Sequence, residues 1–420
     1  MHDLSRAAPV DVGLSEAGLA AIDRYLQGWI DKGVVAGMVT LTARHGKIAH
    51  TSTLGQKDLA TGEPMALDTI FRIFSMTKPV TAVAMMILHD HGLWSPEDPI
   101  AKHLPAFAGA KVFGGLDGDG GPLLTAADHE PTLRELLTHT AGLTYGREPM
   151  GGLEGLYEVA NVWGSADLTD MAARLGALPL AYQPGTKWIY GLAMDVQGAI
   201  IEKLSGKSLP DFMRDEIFAP LGMIDTAFHT PPEKRSRLAT LYRSSSSRGL
   251  VPLPVNPLLP DHETPPALAS GGGGLVSTVG DYARFAQMLL NCGELDGRRI
   301  ISQQAARLMM TNQLSGEMLA QGWGVGQQQI RPGFGYGFNG VVFTDPQAAG
   351  IPVGVGTYHW DGAAGTWFWV DPENDLLFVG MIQLLSEKAP ALQATTQTLM
   401  ADAIVQGVVS PRTTSAAGSR

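Results

Sequence analysis

Hydrophobic and polar positions follow a strand-like period near both ends of the chain and a helical period in between. After Ser15, the apolar residues Leu19, Ile22 and Leu26 recur at helical spacing, which predicts a helix capped by that serine. Two strand patterns follow at 37–44 and 47–54, and the short break between them predicts a hairpin. Strand patterns return at 335–344, 354–360, 366–370 and 376–383, and a last helical pattern covers 389–405.

The middle of the chain has helical patterns separated by many Pro and Gly breaks. Helices are predicted at 80–91, 133–137, 194–204 and 281–290, and an extended surface loop at 244–270. Early and late strands most easily form one antiparallel sheet covered by the two terminal helices, so we expect an α+β fold. This predicts a discontinuous sheet domain (1–74 and 320–410), a mostly helical domain (75–319) and a polar tail (411–420).

Composition narrows the classes of function. The 420 residues carry a net charge of −11, which argues against nucleic acid or an anionic membrane surface as partner. Cys292 is the only cysteine, so no disulfide can form within the chain. No secretory signal and no membrane-length apolar run stand out, so we expect a cytoplasmic protein.

Ser75 and Lys78 carry the first candidate chemistry, in an S-x-x-K pattern at the start of a helical run. Three residues apart on a helix, their side chains share one face, so an amine would lie beside a hydroxyl that is otherwise a poor nucleophile. The positive end of the helix dipole would favour an alkoxide there. The alternative is that Ser75 caps the helix and Lys78 is solvated, and spacing alone leaves both open.

Two further clusters could complete a site around this pair. Tyr190 follows a Pro-Gly-Thr turn and could act as acid or base if Lys78 lowered its phenol pKa; the alternative is an ordinary packed tyrosine. Trp360-Asp361-Gly362-Ala363 lies between two strand patterns, where small residues allow close approach to the backbone. A backbone N–H there could join that of Ser75 in an oxyanion hole, or the segment is merely a turn.

In order and spacing, Ser75-x-x-Lys78, Tyr190 and Trp360-Asp361-Gly362 resemble the motifs of the serine β-lactamase and penicillin-binding superfamily. The nearest branch is the class C β-lactamase-like esterases called family VIII carboxylesterases, and segments 136–143, 220–223 and 271–278 are also typical of it. The resemblance implies that Ser75, Lys78 and Tyr190 are catalytic and that the N–H groups of Ser75 and Ala363 form the oxyanion hole. It implies no metal or cofactor.

Two departures from the superfamily pattern bear on the substrate. Trp360 stands where β-lactamases have a lysine that holds the substrate carboxylate, and Leu192 stands where they usually have an asparagine. Both changes favour neutral esters, with Trp360, Asp361 and Gly362 binding the substrate. His139, within the 136–143 segment, is expected to be a hydrogen-bonded structural residue.

The function predicted from these residues is a serine carboxylesterase that hydrolyses short- to medium-chain esters through an acyl-enzyme on Ser75. A small-molecule ester is the expected partner. The alternatives are an acyltransferase, a β-lactamase or D-amino-acid peptidase, and a non-catalytic binding relative. Whether Lys78 or Tyr190 is the primary base, and the oligomeric state, are left open.

Overall fold

Strands from both ends of the chain form one sheet in the computed structural model, which describes residues 4–245, 247, 249–253, 262–325, 328–386 and 389–405. The described strands are, in chain order, β1 (Gly37–Arg44), β2 (Lys47–Asp58), β3 (Glu63–Pro64), β4 (Phe71–Arg72), β5 (Lys111–Leu116), β6 (Pro122–Ala126), β7 (Tyr242–Ser245), β8 (Gly249–Pro252), β9 (Val276–Ser277), β10 (Glu294–Leu295), β11 (Arg298–Arg299), β12 (Trp323–Val325), β13 (Gln328–Ile330), β14 (Phe334–Tyr336), β15 (Val341–Phe343), β16 (Tyr358–Asp361), β17 (Trp367–Asp371), β18 (Leu376–Met381) and β19 (Leu384–Leu385).

Fourteen α-helices are described between and around these strands. They are α1 (Glu16–Asp31), α2 (Thr77–Asp90), α3 (Ile100–His103), α4 (Leu133–Leu137), α5 (Leu153–Val159), α6 (Leu168–Gly176), α7 (Ala193–Ser205), α8 (Leu209–Met213), α9 (Ala219–Leu221), α10 (Val279–Leu290), α11 (Gln303–Met309), α12 (Gly316–Gln321), α13 (Pro346–Ala349) and α14 (Leu392–Ala403). Among the described residues, no helix is both long and apolar enough to cross a membrane.

The main sheet has eight strands in the order β14-β15-β16-β17-β18-β1-β2-β3. β1 pairs antiparallel with β2 on one side and with β18 on the other, so Val39 lies opposite both Thr53 and Met381. The sheet therefore joins segments about 300 residues apart in the sequence, and the predicted α+β fold is confirmed.

Both faces of the sheet are covered. Because side chains alternate along each strand, neighbouring residues of one strand pack against different groups of helices. Met38 and Trp369 belong to one buried cluster together with residues of α1 and α14. Val39 and Val379 point to the opposite face and belong to the larger core, where α10 packs against β1, β17 and β18. This places the terminal helices on one face, as the sequence predicts, and brings the helical region against the other.

Two residues of its own sequence explain where α1 begins and how closely it packs. The Ser15 side chain accepts a hydrogen bond from the Gly18 N–H at 3.2 Å, so Ser15 is the predicted N-cap. Gly18 has no side chain because a Cβ there would lie 2.6 Å from Ala403 of α14. That close approach lets α1 and α14 pack against each other.

Several element boundaries differ from those predicted. The single strand predicted at 335–344 is instead the hairpin of β14 and β15, because Asn339 adopts a left-handed conformation with φ of 58°. The last helix begins only at Leu392, after Pro390.

The middle of the chain also contains strands that the periodicity did not indicate. Residues 111–126 form an exposed Gly-rich hairpin of β5 and β6, and the predicted loop at 244–270 begins with the hairpin of β7 and β8. Residues 254–261 of that loop, and the predicted polar tail 411–420, lie outside the described residues. The domain boundaries after 74 and 319 stay predictions.

Candidate active site

Ser75 lies in a tight 3-10 turn, Phe74–Met76, that leads directly into α2. Met76, not Ser75, is the N-cap of α2. Phe74 has φ of 43°, a left-handed conformation that is strained for a bulky residue. The strained turn holds the half-buried Ser75 at the point where strand and helix meet.

Lys78 lies one turn further along and is completely buried. Its Nζ is 3.2 Å from Ser75 Oγ and donates to the Gly272 carbonyl at 2.6 Å. Burial lowers the pKa of Lys78 to about 7, although the carboxylates of Asp195 and Asp361 act in the opposite direction. Near neutral pH a large fraction of this amine is therefore unprotonated and able to accept a proton.

Tyr190 is the second group on the serine, and its hydroxyl donates to Ser75 Oγ at 2.9 Å. The Lys78 Nζ lies 4.7 Å from the Tyr190 ring centroid. Burial nevertheless raises the pKa of Tyr190 well above its usual value, so the condition under which this phenol could act as a base, a pKa lowered by Lys78, is not met. Tyr190 is therefore a neutral phenol that donates a proton more readily than it accepts one.

The loop before α7 delivers Tyr190 through two glycines. Gly185 forms the predicted Pro-Gly turn with φ of 73°. Gly191 lies against the chain after α4, where a Cβ would be 2.4 Å from the Leu143 carbonyl oxygen. These contacts fix the tyrosine over Ser75.

Tyr145 belongs to this group as well, and the sequence pattern did not indicate it. Lys78 Nζ donates to the Tyr145 hydroxyl at 3.2 Å, and the Tyr145 ring meets the Tyr190 ring edge-on, with ring centroids 5.5 Å apart. Its only signal in the sequence is its position two residues after the 136–143 segment. Ser75, Lys78, Tyr190 and Tyr145 thus form one hydrogen-bonded network.

A cavity of about 200 Å³ opens beside Ser75. Six of the residues that line it are site residues predicted from the sequence: Ser75, Tyr190, Trp360, Asp361, Gly362 and Ala363. Two larger cavities, of about 440 Å³ and 680 Å³, are lined by other residues and contain none of these six. The smaller cavity is therefore the one that meets the candidate chemistry.

The turn between β16 and β17 places Ala363 next to Ser75. Gly362 accepts a hydrogen bond from Gly365 N–H at 2.8 Å, and the Thr366 hydroxyl donates to the Ile73 carbonyl at 3.2 Å. A Cβ on Gly362 would lie 2.3 Å from that same carbonyl oxygen. Gly362 is therefore a glycine because the turn packs against the backbone just before the serine.

The two departures from the superfamily pattern occupy different places. Trp360 lines the cavity and packs against Tyr190 and Tyr336, with ring centroids 5.8 Å and 5.7 Å away. Leu192 is completely buried at the start of α7, within the hydrophobic core, and is not among the cavity residues. Of these two residues, therefore, Trp360 supplies an apolar surface to a ligand beside Ser75 and Leu192 does not.

His139 does not fit the expectation of a hydrogen-bonded histidine. Both of its ring nitrogens are buried and have no hydrogen-bond partner among the described residues. The ring packs against Trp188, Tyr190 and Tyr336. Burial and the nearby Lys78 hold the pKa of His139 well below its ordinary value, so the ring is neutral.

Comparison with known proteins decides the family. The sequence model of the Beta-lactamase family matches residues 22–402. The chain belongs to the β-lactamase family. It is 37% identical over 358 residues to Protein Rv1367c of Mycobacterium tuberculosis (strain ATCC 25618 / H37Rv), a match that covers 84% of this chain and 87% of that protein.

Among members of this family, an esterase is also similar along most of the chain. The match to esterase EstB of Burkholderia gladioli is 31% identical over 382 residues and covers 86% of this chain and 89% of EstB. The solved structure of EstCE1, described as a hydrolase with promiscuous acyltransferase activity, has a TM-score of 0.74 and 26% identity. That match covers 93% of this chain and 99% of EstCE1. The predicted class, an enzyme of the β-lactamase-like serine hydrolases, is confirmed.

Proposed function

We propose that this β-lactamase family member is a serine carboxylesterase that hydrolyses short- to medium-chain esters through an acyl-enzyme on Ser75. The observation that carries the proposal is the double contact on Ser75 Oγ, 3.2 Å from Lys78 Nζ and 2.9 Å from the Tyr190 hydroxyl, beside a cavity. The similarity to esterase EstB supports the same class of reaction.

Lys78 is the primary base in this proposal. Its pKa of about 7 provides neutral amine at physiological pH, whereas the raised pKa of Tyr190 keeps that phenol protonated. Ser75 Oγ loses its proton to Lys78 Nζ and bonds to the ester carbonyl carbon. The backbone N–H groups of Ser75 and Ala363 stabilise the resulting oxyanion.

Tyr190 acts as the acid when the tetrahedral intermediate breaks down. Its hydroxyl gives a proton to the leaving alkoxide as the ester C–O bond breaks. It regains a proton from the Lys78 ammonium by way of Tyr145, whose hydroxyl accepts from Lys78 Nζ at 3.2 Å and whose ring packs against that of Tyr190. Lys78 is then neutral again and can deprotonate the water that attacks the acyl-enzyme. In the second half the water oxygen bonds to the acyl carbon as its proton passes to Lys78. The C–Oγ bond then breaks, and Ser75 Oγ takes up a proton from the Tyr190 hydroxyl, which the Lys78 ammonium replaces.

The cavity supports a preference for neutral esters. Trp360 presents an apolar wall in place of a cation, and about 200 Å³ beside Ser75 suits a small acyl group. Asp361 and Gly362 complete the lining. A carboxylate-bearing β-lactam finds no lysine at position 360, which argues against β-lactamase or D-amino-acid peptidase activity as the main function.

An acyltransferase is the second candidate, and one finding favours it. EstCE1, 26% identical to this chain, is described as a hydrolase with promiscuous acyltransferase activity. The same acyl-enzyme would serve both reactions, since an alcohol or amine replaces water in the second half.

The test is turnover of p-nitrophenyl esters of increasing chain length, beside a chromogenic cephalosporin, with and without an added alcohol acceptor. Ester cleavage should be lost in Ser75→Ala and kept in Ser15→Ala, a control that removes the N-cap of α1. Mass spectrometry of the quenched reaction should find the acyl group on the peptide that contains Ser75. Near-normal turnover in Ser75→Ala, or faster opening of the cephalosporin than of the esters, would contradict the proposal.

A further inference from the structure

Asp195 is a completely buried carboxylate in the first turn of α7, and the mechanism above does not use it. Its Oδ1 accepts a hydrogen bond from the Ser270 hydroxyl at 2.6 Å and from the Gly272 N–H at 3.3 Å. A buried charge is strongly destabilising unless it has hydrogen bonds and an opposite charge nearby. The nearest candidate for that opposite charge is Lys78 in its ammonium form.

Gly272 lies between Asp195 and Lys78 and contacts both. Its N–H donates to the Asp195 carboxylate, while its carbonyl accepts the Lys78 Nζ hydrogen bond at 2.6 Å. A Cβ on Gly272 would lie 3.0 Å from Asp195 Oδ2 and 3.5 Å from Lys78 Nζ. A single residue without a side chain, Gly272, thus separates the carboxylate from the amine.

We propose that Asp195 is a positioning residue for acylation, which holds Lys78 through Gly272 and stabilises the ammonium that forms when Ser75 loses its proton. The inference rests on the proposed function, because it takes Lys78 as the base. An opposite charge within about 4–6 Å favours the charged form of a buried amine. Asp195 would therefore lower the barrier to proton transfer without touching the substrate.

The other titratable groups around Lys78 do not supply the negative charge that Asp195 supplies. Tyr145 and Tyr190 are phenols with raised pKa values, and His139 is neutral. Asp361 also acts on Lys78 but lines the substrate cavity. Asp195 acts more strongly than Asp361 in raising the pKa of Lys78, against the larger effect of burial.

Asp195→Asn tests the charge and keeps the shape, since the amide oxygen can accept the same two hydrogen bonds. Without the carboxylate the ammonium form of Lys78 is less stable, so its pKa falls. The acid limb of kcat/KM for p-nitrophenyl butyrate should move to lower pH by about one to two units. The alkaline plateau should fall by about tenfold or more, because the amine is a weaker base. KM should stay unchanged.

Two further variants make the result specific. Ser270→Ala removes the shortest hydrogen bond to the carboxylate and should shift the limb less, in the same direction. Asp281→Asn is the matched control: Asp281 is also buried and accepts from a backbone N–H at 2.7 Å and from the Thr226 hydroxyl at 2.9 Å, but it lies in α10. It should leave the acid limb in place.

The assay is read at the isosbestic wavelength of p-nitrophenol, so that titration of the product does not distort the profile. An acid limb in Asp195→Asn that matches wild type, or an equal shift in Asp281→Asn, overturns the proposal. If Asp195→Asn does not fold, Asp195→Ser, which also removes the charge, decides, and an unshifted limb there overturns the proposal.

Failure of the proposed function would look different. If the protein is not an esterase, the wild-type protein will be inactive on every ester. The rate at which a fluorophosphonate labels Ser75 still depends on proton transfer to Lys78, so its pH dependence reports on Asp195 without any ester turnover. An acid limb of labelling that moves in Asp195→Asn supports the proposal, and one that does not move overturns it.

Discussion

Gly362→Ala should damage catalysis through the backbone alone. The new Cβ would lie 2.3 Å from the Ile73 carbonyl oxygen, whereas ordinary contacts begin at 3.4 Å, so the turn or the segment before Ser75 must move by about 1 Å. Ala363 follows directly, and its N–H is one of the two proposed oxyanion donors. A misplacement of about 1 Å can reduce the rate about 100-fold, and loss of one donor reduces kcat about 10²–10³-fold.

The assay compares kcat, KM and the affinity of a boronic acid that forms a tetrahedral adduct with serine. We expect kcat to fall about 100-fold or more and the boronic acid to bind weaker by a similar factor. KM should change little, because the ground-state ester does not need the oxyanion donors. Thermal unfolding should remain cooperative, with a loss of about 1–3 kcal/mol from overpacking.

Gly28→Ala is the control for this variant. Gly28 lies in α1, and a Cβ there meets no atom within 4 Å, so the protein should keep its kcat and gain up to about 1 kcal/mol of stability. A folded Gly362→Ala protein with wild-type kcat would refute the argument. So would a fall in kcat without any loss of boronic acid affinity, since the oxyanion donors would then be intact.

Three other changes separate the remaining roles. Tyr145→Phe removes the hydrogen bond that the Lys78 ammonium donates once Ser75 has lost its proton, and should lower kcat/KM about 10- to 100-fold in the p-nitrophenyl butyrate assay. An unchanged rate would exclude Tyr145 from proton return. Trp360→Lys should raise kcat/KM for a carboxylate-bearing ester relative to its neutral counterpart, and an unchanged ratio would show that Trp360 does not set this preference. Ser15→Ala should cost about 1 kcal/mol in urea unfolding and leave kcat unchanged; wild-type stability would contradict the capping role.

Local patterns in the sequence were enough for much of the fold. The period of β1 and β2, the cap at Ser15 and the hairpin between β17 and β18 depend on neighbours within a few residues, and the structure has them. The split at Asn339 was missed, because one left-handed residue interrupts a run that otherwise reads as a strand. The hairpin of β5 and β6 was missed because its exposed, Gly-rich strands lack a buried face.

The candidate site also has features that local sequence predicts and features that only tertiary packing produces. The sequence by itself indicated that Ser75 and Lys78 lie close together, since an interval of three residues spans about one turn. The structure places Lys78 Nζ 3.2 Å from Ser75 Oγ, although Ser75 lies in the 3-10 turn before α2 and not on the helix itself. Tertiary structure alone decided that Lys78 is fully buried with a pKa of about 7, and that Tyr145 and Gly272 contact it from 67 and 194 residues away. Burial and long-range hydrogen bonds arise only when distant segments pack together, so the chemistry of this amine depends on the whole fold.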